Sequence, residues 1–160
     1  MIGKQEGELA ARYYLEDLYV GQRFTSDSYR VDEENIKRFA EEHDPQLFHL
    51  DDGFARKTVF RGLAASDLHT AVITMRLLVG GGLPLADGII GLGGELTWPR
   101  PTRPGDILKV ESEVMEIVPS KSKPNQAVVK VKSTTLNQSE EPVYVFTSKV
   151  VVFKREHSNE

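Results

Sequence analysis

The sequence contains no cysteine. That absence excludes disulfide staples, thiol nucleophiles and any metal site built on thiolate. Long hydrophobic runs are also missing. The longest apolar stretch, from Ala71 to Leu85, is interrupted by Thr74, Arg76 and three glycines and is too short to span a bilayer. The opening residues, M-I-G-K-Q-E-G-E-L-A, carry charge and no apolar segment, so they do not read as a signal peptide. Positive charge is in deficit: 20 Lys and Arg against 24 Asp and Glu leave a net charge of -4. No basic stripe is available to neutralise a phosphate backbone, which argues against nucleic acid as a partner. Histidine is scarce, four in all, with no H-x-H or H-E-x-x-H spacing, so no metal site is expected. A cytoplasmic protein with neither membrane nor nucleic-acid partners is the expectation.

What remains is ordinary globular material. The 160 residues, 39% hydrophobic and 28% charged, fit one domain. The expected division is a leader over 1–12, a domain over 13–155 and a tail over 156–160. T-S-D-S-Y-R-V reads as a first strand ending near Val31. Asp32 is a good N-cap for a helix whose first turn holds Glu33 and Glu34. Ile36, Phe39 and Ala40 give that helix one buried face, and Pro45 ends it. A short helical piece is expected over Asp51 to Lys57. A-V-I-T-M-R-L-L-V then predicts a helix apolar on nearly every side, hence buried, stopped by Gly80 to Gly82.

The second half changes period. E-L-T-W, D-I-L-K-V-E-S-E-V-M-E-I-V, A-V-V-K-V-K-S-T-T-L and V-Y-V-F-T-S-K-V-V-V-F alternate or are rich in β-branched residues. Proline, glycine and asparagine mark the turns between them. The fold class is therefore α+β: one long curved antiparallel sheet wrapped around a buried central helix.

One short stretch carries unusual chemistry. H-D-P-Q-L-F-H-L-D-D, His43 to Asp52, packs two histidines and three carboxylates behind a helix. Asp44 and His49 are five residues apart, which is not a helical neighbour relation. They converge only if the loop folds back, as Pro45 encourages, with Leu47 and Phe48 anchoring it in the core. The plainer alternative makes Asp44 a turn residue before proline and His49 a satisfied core histidine.

The stretch F-A-E-E-H-D-P-Q-L-F-H-L-D, followed by F-R-G-L-A-A-S-D-L-H-T and W-P-R-P-T-R-P-G-D, resembles the MaoC-like dehydratase family, which includes the (R)-specific enoyl-CoA hydratases. The resemblance covers roughly residues 15–154 and implies a single hotdog domain. It further implies that Asp44 and His49 are a catalytic acid–base pair. Within the family's D-x-N-P-x-H loop, Gln46 stands at the Asn position and Leu47 at the Pro position, with a proline at Pro45 instead. The family's glycine N–H at the start of the central helix corresponds to Asp67, and a serine on that helix to Met75. Asp67, Gln46, His69 and Gly62 are the resulting pocket candidates. The implied activity is a hydro-lyase that adds or removes water across the double bond of a trans-2-enoyl-CoA, with no cofactor beyond the thioester substrate. An acyl-CoA thioesterase and a non-catalytic acyl-thioester-binding protein with an altered oxyanion site are the alternatives. A homodimer or dimer of dimers is implied as the assembly.

Three features keep a second interpretation. Ser66-Asp67 is a good N-cap, so the Asp67 carboxylate would accept N–H groups of the first turn. Arg100 and Arg103, in a proline-stiffened loop, suit a CoA diphosphate, or are solvated charges. G-L-G-G-E, Gly91 to Glu95, lacks the Lys-Ser/Thr of a phosphate loop and suggests backbone crowding; the hotdog resemblance implies space beside it for a pantetheine arm. His43 belongs at a helix C-terminus, and His157 is assigned nothing.

Overall fold

Alternation in the second half produces four strands of one sheet. A computed structural model of the protein describes residues 12–156. In it β3 (Ile90–Thr97), β4 (Ile107–Pro119), β5 (Gln126–Leu136) and β6 (Pro142–Phe153) pair antiparallel. Two short strands, β1 (Arg23–Thr25) and β2 (Tyr29–Arg30), pair with the other edge of β4, so the order is β1-β4-β5-β6-β3 with β2 beside β1. The single first strand expected up to Val31 is thus split. Ser26 is the reason: its hydroxyl, not its backbone, receives the Val110 N–H, at 2.8 Å, and the ladder breaks there.

Leu108, Val110 and Val114 of β4, Val129 and Val131 of β5, and Val150 and Val152 of β6 point to one face and are buried. Lys109, Glu111 and Glu113, at the alternate β4 positions, point to the other. The buried face receives α3 (Asp67–Leu77), which continues as a single wider turn over Leu78–Gly82. Hydroxyl pairs stitch helix to sheet and strand to strand: Thr74 with Thr135 at 2.6 Å, Ser112 with Ser133 at 2.9 Å.

α3 is less buried than its composition predicts. Leu68, Val72, Met75 and Val79 lie on an exposed flank, 43–56% accessible. The sheet covers one side of the helix, and α1 (Glu33–His43) touches only its start. β3 is more open still, with all eight of its residues exposed. The crowding expected at the glycines is real at Gly94, where a Cβ would lie 2.3 Å from the Thr147 carbonyl oxygen. At Gly91 and Gly93, by contrast, a Cβ would meet nothing within 4 Å, and Gly93 and Gly94 line an open cavity with Leu92, Lys130 and Lys149.

α1 is capped as its sequence predicts: the Asp32 carboxylate accepts the Asn35 N–H at 2.7 Å. α2 (Asp52–Ala55) is capped by Asp51. At the far end of the sheet, residues 121–125 form the exposed β4–β5 turn. The expected leader and tail fall, apart from Arg12 and Glu156, outside the described residues, as does His157. Among the described residues no helix is long and apolar enough to cross a membrane.

Candidate active site

The chain reverses twice between α1 and α2. Asp44 is the C-cap of α1, with its N–H on the Ala40 carbonyl at 2.9 Å. The N–H of Gln46 then reaches back to the Asp44 carbonyl (2.8 Å), and the N–H of His49 to the Gln46 carbonyl (2.9 Å). Leu47–His49 form one 3-10 turn. This folding brings the Asp44 carboxylate to 3.3 Å from Nε2 of His49. Leu47 does not anchor the loop in the core as the sequence suggests; it is 52% exposed. Phe48 packs edge-on against the His49 ring and against Phe60.

His49 is buried, and its Nδ1 lies 2.7 Å from the carbonyl oxygen of Ala64. A carbonyl only accepts, so Nδ1 carries a proton and Nε2 is the nitrogen that gains or loses one. Ala64 is itself fixed, its N–H donating to the Phe48 carbonyl.

Asp44 is ionised. Burial pushes its carboxyl up, but the Ser66 hydroxyl, the Gln46 amide and the charge of His49 outweigh that and hold it below the usual carboxylate value. The Gln46 bond is short, Nε2 to Oδ1 at 2.6 Å. At 3.3 Å, the Asp44–His49 approach is longer than the roughly 2.7–2.9 Å of a charge-assisted bond. Both groups can thus share one water.

Ser66 went unremarked in the sequence except as half of a cap. It is wholly buried, caps α3 by accepting the Leu68 N–H at 3.2 Å, and sits beside the Asp44 carboxylate. A Ser-Asp pair before an apolar run signals a cap, and nothing local signals that the serine meets Asp44. Asp67 is then the first residue of α3 and not its cap, since the serine hydroxyl already holds that place. Its carboxyl is pushed up, first by burial and then by Asp44, with His49 acting the other way. The first N–H groups of any α-helix have no intrahelical acceptor, so this end of α3 offers donors beside the pair.

The other candidates lie elsewhere. His69 is two residues on, and its ring stacks on Phe39 of α1 with centroids 4.5 Å apart. Gly62 belongs to the loop between α2 and α3, where its carbonyl accepts from Arg103. Arg103 points inward at that loop and not outward for a phosphate; its guanidinium donates to the carbonyls of Phe60, Gly62 and Leu63. Arg100 is exposed and pairs with Glu141 at 3.3 Å. A cavity of about 590 Å³ is not lined by Asp44 or His49. It runs along the exposed flank of α3, between Phe39 and His43 on one side and Tyr144 and Phe146 on the other. Leu68 lines its near end, one residue from Asp67.

Residues 19–146 match the family described as FAS1-like, dehydratase domain region. The chain belongs to that family, as a MaoC-like member of hotdog fold. It is 60% identical to the MaoC-like dehydratase from Rhodospirillum rubrum, with a TM-score of 0.89, covering 91% of this chain and 99% of that one. It is 33% identical over 109 residues to the 3-hydroxybutyryl-CoA dehydratase of Methylorubrum extorquens, 68% of each protein. The unliganded R-hydratase PhaJ1 of Pseudomonas aeruginosa is 26% identical, with a TM-score of 0.72 and 92% of both chains covered. The family places the chain among hydratases and dehydratases.

Proposed function

We propose that the protein adds water to, or removes it from, the double bond of a trans-2-enoyl thioester, with Asp44 and His49 as the acid–base pair. The observation that carries this is the 3.3 Å approach of Asp44 to the free nitrogen of an imidazole whose other nitrogen is locked by Ala64. In hydration the Asp44 carboxylate takes a proton from the shared water as its oxygen bonds to C3. The π electrons move to the thioester oxygen, and the first-turn N–H groups of α3 receive that charge. His49 enters this step with a proton on both nitrogens, and its Nε2–H delivers a proton to C2. The proton on Asp44 then returns to His49 across the gap, which restores the starting state of the pair. Dehydration is the reverse. No cofactor is needed beyond the thioester.

The apolar groove along α3 is the natural bed for the acyl group, and the exposed Arg100 is available to a CoA phosphate. The bare α3 flank and the unpaired edge of β3 support a homodimer, in which a second copy covers both. Sedimentation that returns a monomer at micromolar concentration would remove that part.

The decisive assay gives the purified protein crotonyl-CoA and longer trans-2-enoyl-CoA thioesters and follows both enoyl absorbance and free thiol. Absorbance loss without thiol is the expected result. Thiol release would make it a thioesterase, and acyl-CoA binding with neither change would make it a binding protein.

A further inference from the structure

The loop R-P-G-D, Arg103 to Asp106, has a mechanical role that reaches the catalytic pair. Asp106 is buried, and its carboxylate accepts the Arg103 N–H at 2.8 Å and the Gln138 amide at 3.0 Å. The Arg103 side chain is thereby aimed across the molecule at the segment between α2 and α3. There its guanidinium takes three carbonyls of one tight bend: Phe60, Gly62 (2.9 Å) and Leu63 (3.3 Å). The bend contains Arg61 at φ 59°, a left-handed conformation that costs a non-glycine residue about 1 kcal/mol or more and persists only where its surroundings enforce it. The next carbonyl along is that of Ala64, which fixes the proton on His49 Nδ1. Thr102 adds a second hold one residue later, its carbonyl accepting the Ala65 N–H at 2.9 Å.

We propose that Arg103 is a positioning residue for the catalytic pair, acting through the Ala64 carbonyl to set the tautomer and orientation of His49. Its planar fork of donors suits several carbonyls at once, as the single ammonium of lysine does not. This rests on the hydro-lyase reading for its kinetic arm only.

The test has two arms. In the first, ring-nitrogen NMR of ligand-free protein follows His49 in wild type, Arg103→Lys and Arg103→Met, with far-UV circular dichroism to establish folding. Wild type holds the proton on Nδ1, whereas the variants average the two nitrogens, Met more than Lys. In the second, kinetics use crotonyl-CoA and crotonyl-N-acetylcysteamine, which has no phosphates. Misplacing a catalytic group by about 1 Å can cost on the order of 100-fold, so kcat falls about 10- to 100-fold on both thioesters with KM unchanged. Folded variants with an unaltered His49 spectrum and full kcat overturn the proposal. So does a rise in KM confined to the CoA thioester, which would make Arg103 a phosphate anchor. If wild type hydrates nothing, the functional reading fails while the NMR arm still decides the role of Arg103.

Discussion

Two buried imidazoles belong to the site region, one in the loop after α1 and one in the first turn of α3, and their surroundings differ. His49, 3% exposed, has a carbonyl on Nδ1, a carboxylate facing Nε2 and aromatic rings at its edges. His69, 6% exposed, stacks flat on Phe39, and its Nδ1 has no partner. Burial lowers its affinity for a proton, against the opposing charge of Asp32. Equal burial therefore leaves one ring with a partner at each nitrogen, the arrangement that the proposed proton transfer uses, and the other stacked with its Nδ1 unpaired. The partners on the ring nitrogens set the two apart.

The largest effect should come from breaking the first environment. Asp44→Asn and His49→Ala should each lower hydration by about 100- to 10,000-fold with the fold intact by circular dichroism. Steady-state kinetics on crotonyl-CoA measures it, and a double variant no worse than either single one would show that the two act as a unit.

Gln46→Leu sharpens the contrast by altering only the tuning of Asp44. The catalytic form has Asp44 ionised, and its depressed pKa sets the acid limb of kcat/KM low. Removing the 2.6 Å amide bond raises that carboxyl, so the limb moves to higher pH. The loss should be about tenfold on the acid side and slight above neutrality.

His69→Phe should have the smallest effect. The hydration rate stays the same, because the ring is held in a stack on Phe39 that phenylalanine keeps. Stability changes with pH instead. A histidine whose folded pKa is depressed costs stability as pH falls through the unfolded value of about 6.5, since the unfolded chain takes the proton first. Phenylalanine keeps the stack and removes that slope, and it relieves an unpaired buried nitrogen worth on the order of 1 kcal/mol. Urea melts of both proteins at pH 5.5 and pH 8 measure the difference; parallel pH dependence would show that His69 is not the titrating group.

The strand half of the molecule was legible because alternation is local: Val110, Val129 and Val150 announce their burial within a few residues of sequence. The five-residue interval from Asp44 to His49 was legible only with the resemblance, since what closes it is a pair of turns. Ser66, Ala64 and Arg103 were not legible as partners of the pair. Their contacts span 15 to 43 residues of separation, and a carbonyl that fixes a tautomer leaves no mark in side-chain chemistry. The bare flank of α3 was misjudged for a related reason. Composition reports how apolar a helix is, not how much of it the rest of one chain can reach.

The β4–β5 hairpin tip offers a practical opening. Residues 121–125 are exposed and stand at the end of two long paired strands, away from every contact that holds Ala64 or Ser66. Added chain there lengthens a surface excursion and nothing else. A fluorophore, an affinity handle or a whole guest domain belongs at that tip, whereas a single residue inserted between Phe60 and Ala65 would swing the peptide group that silences one face of the imidazole.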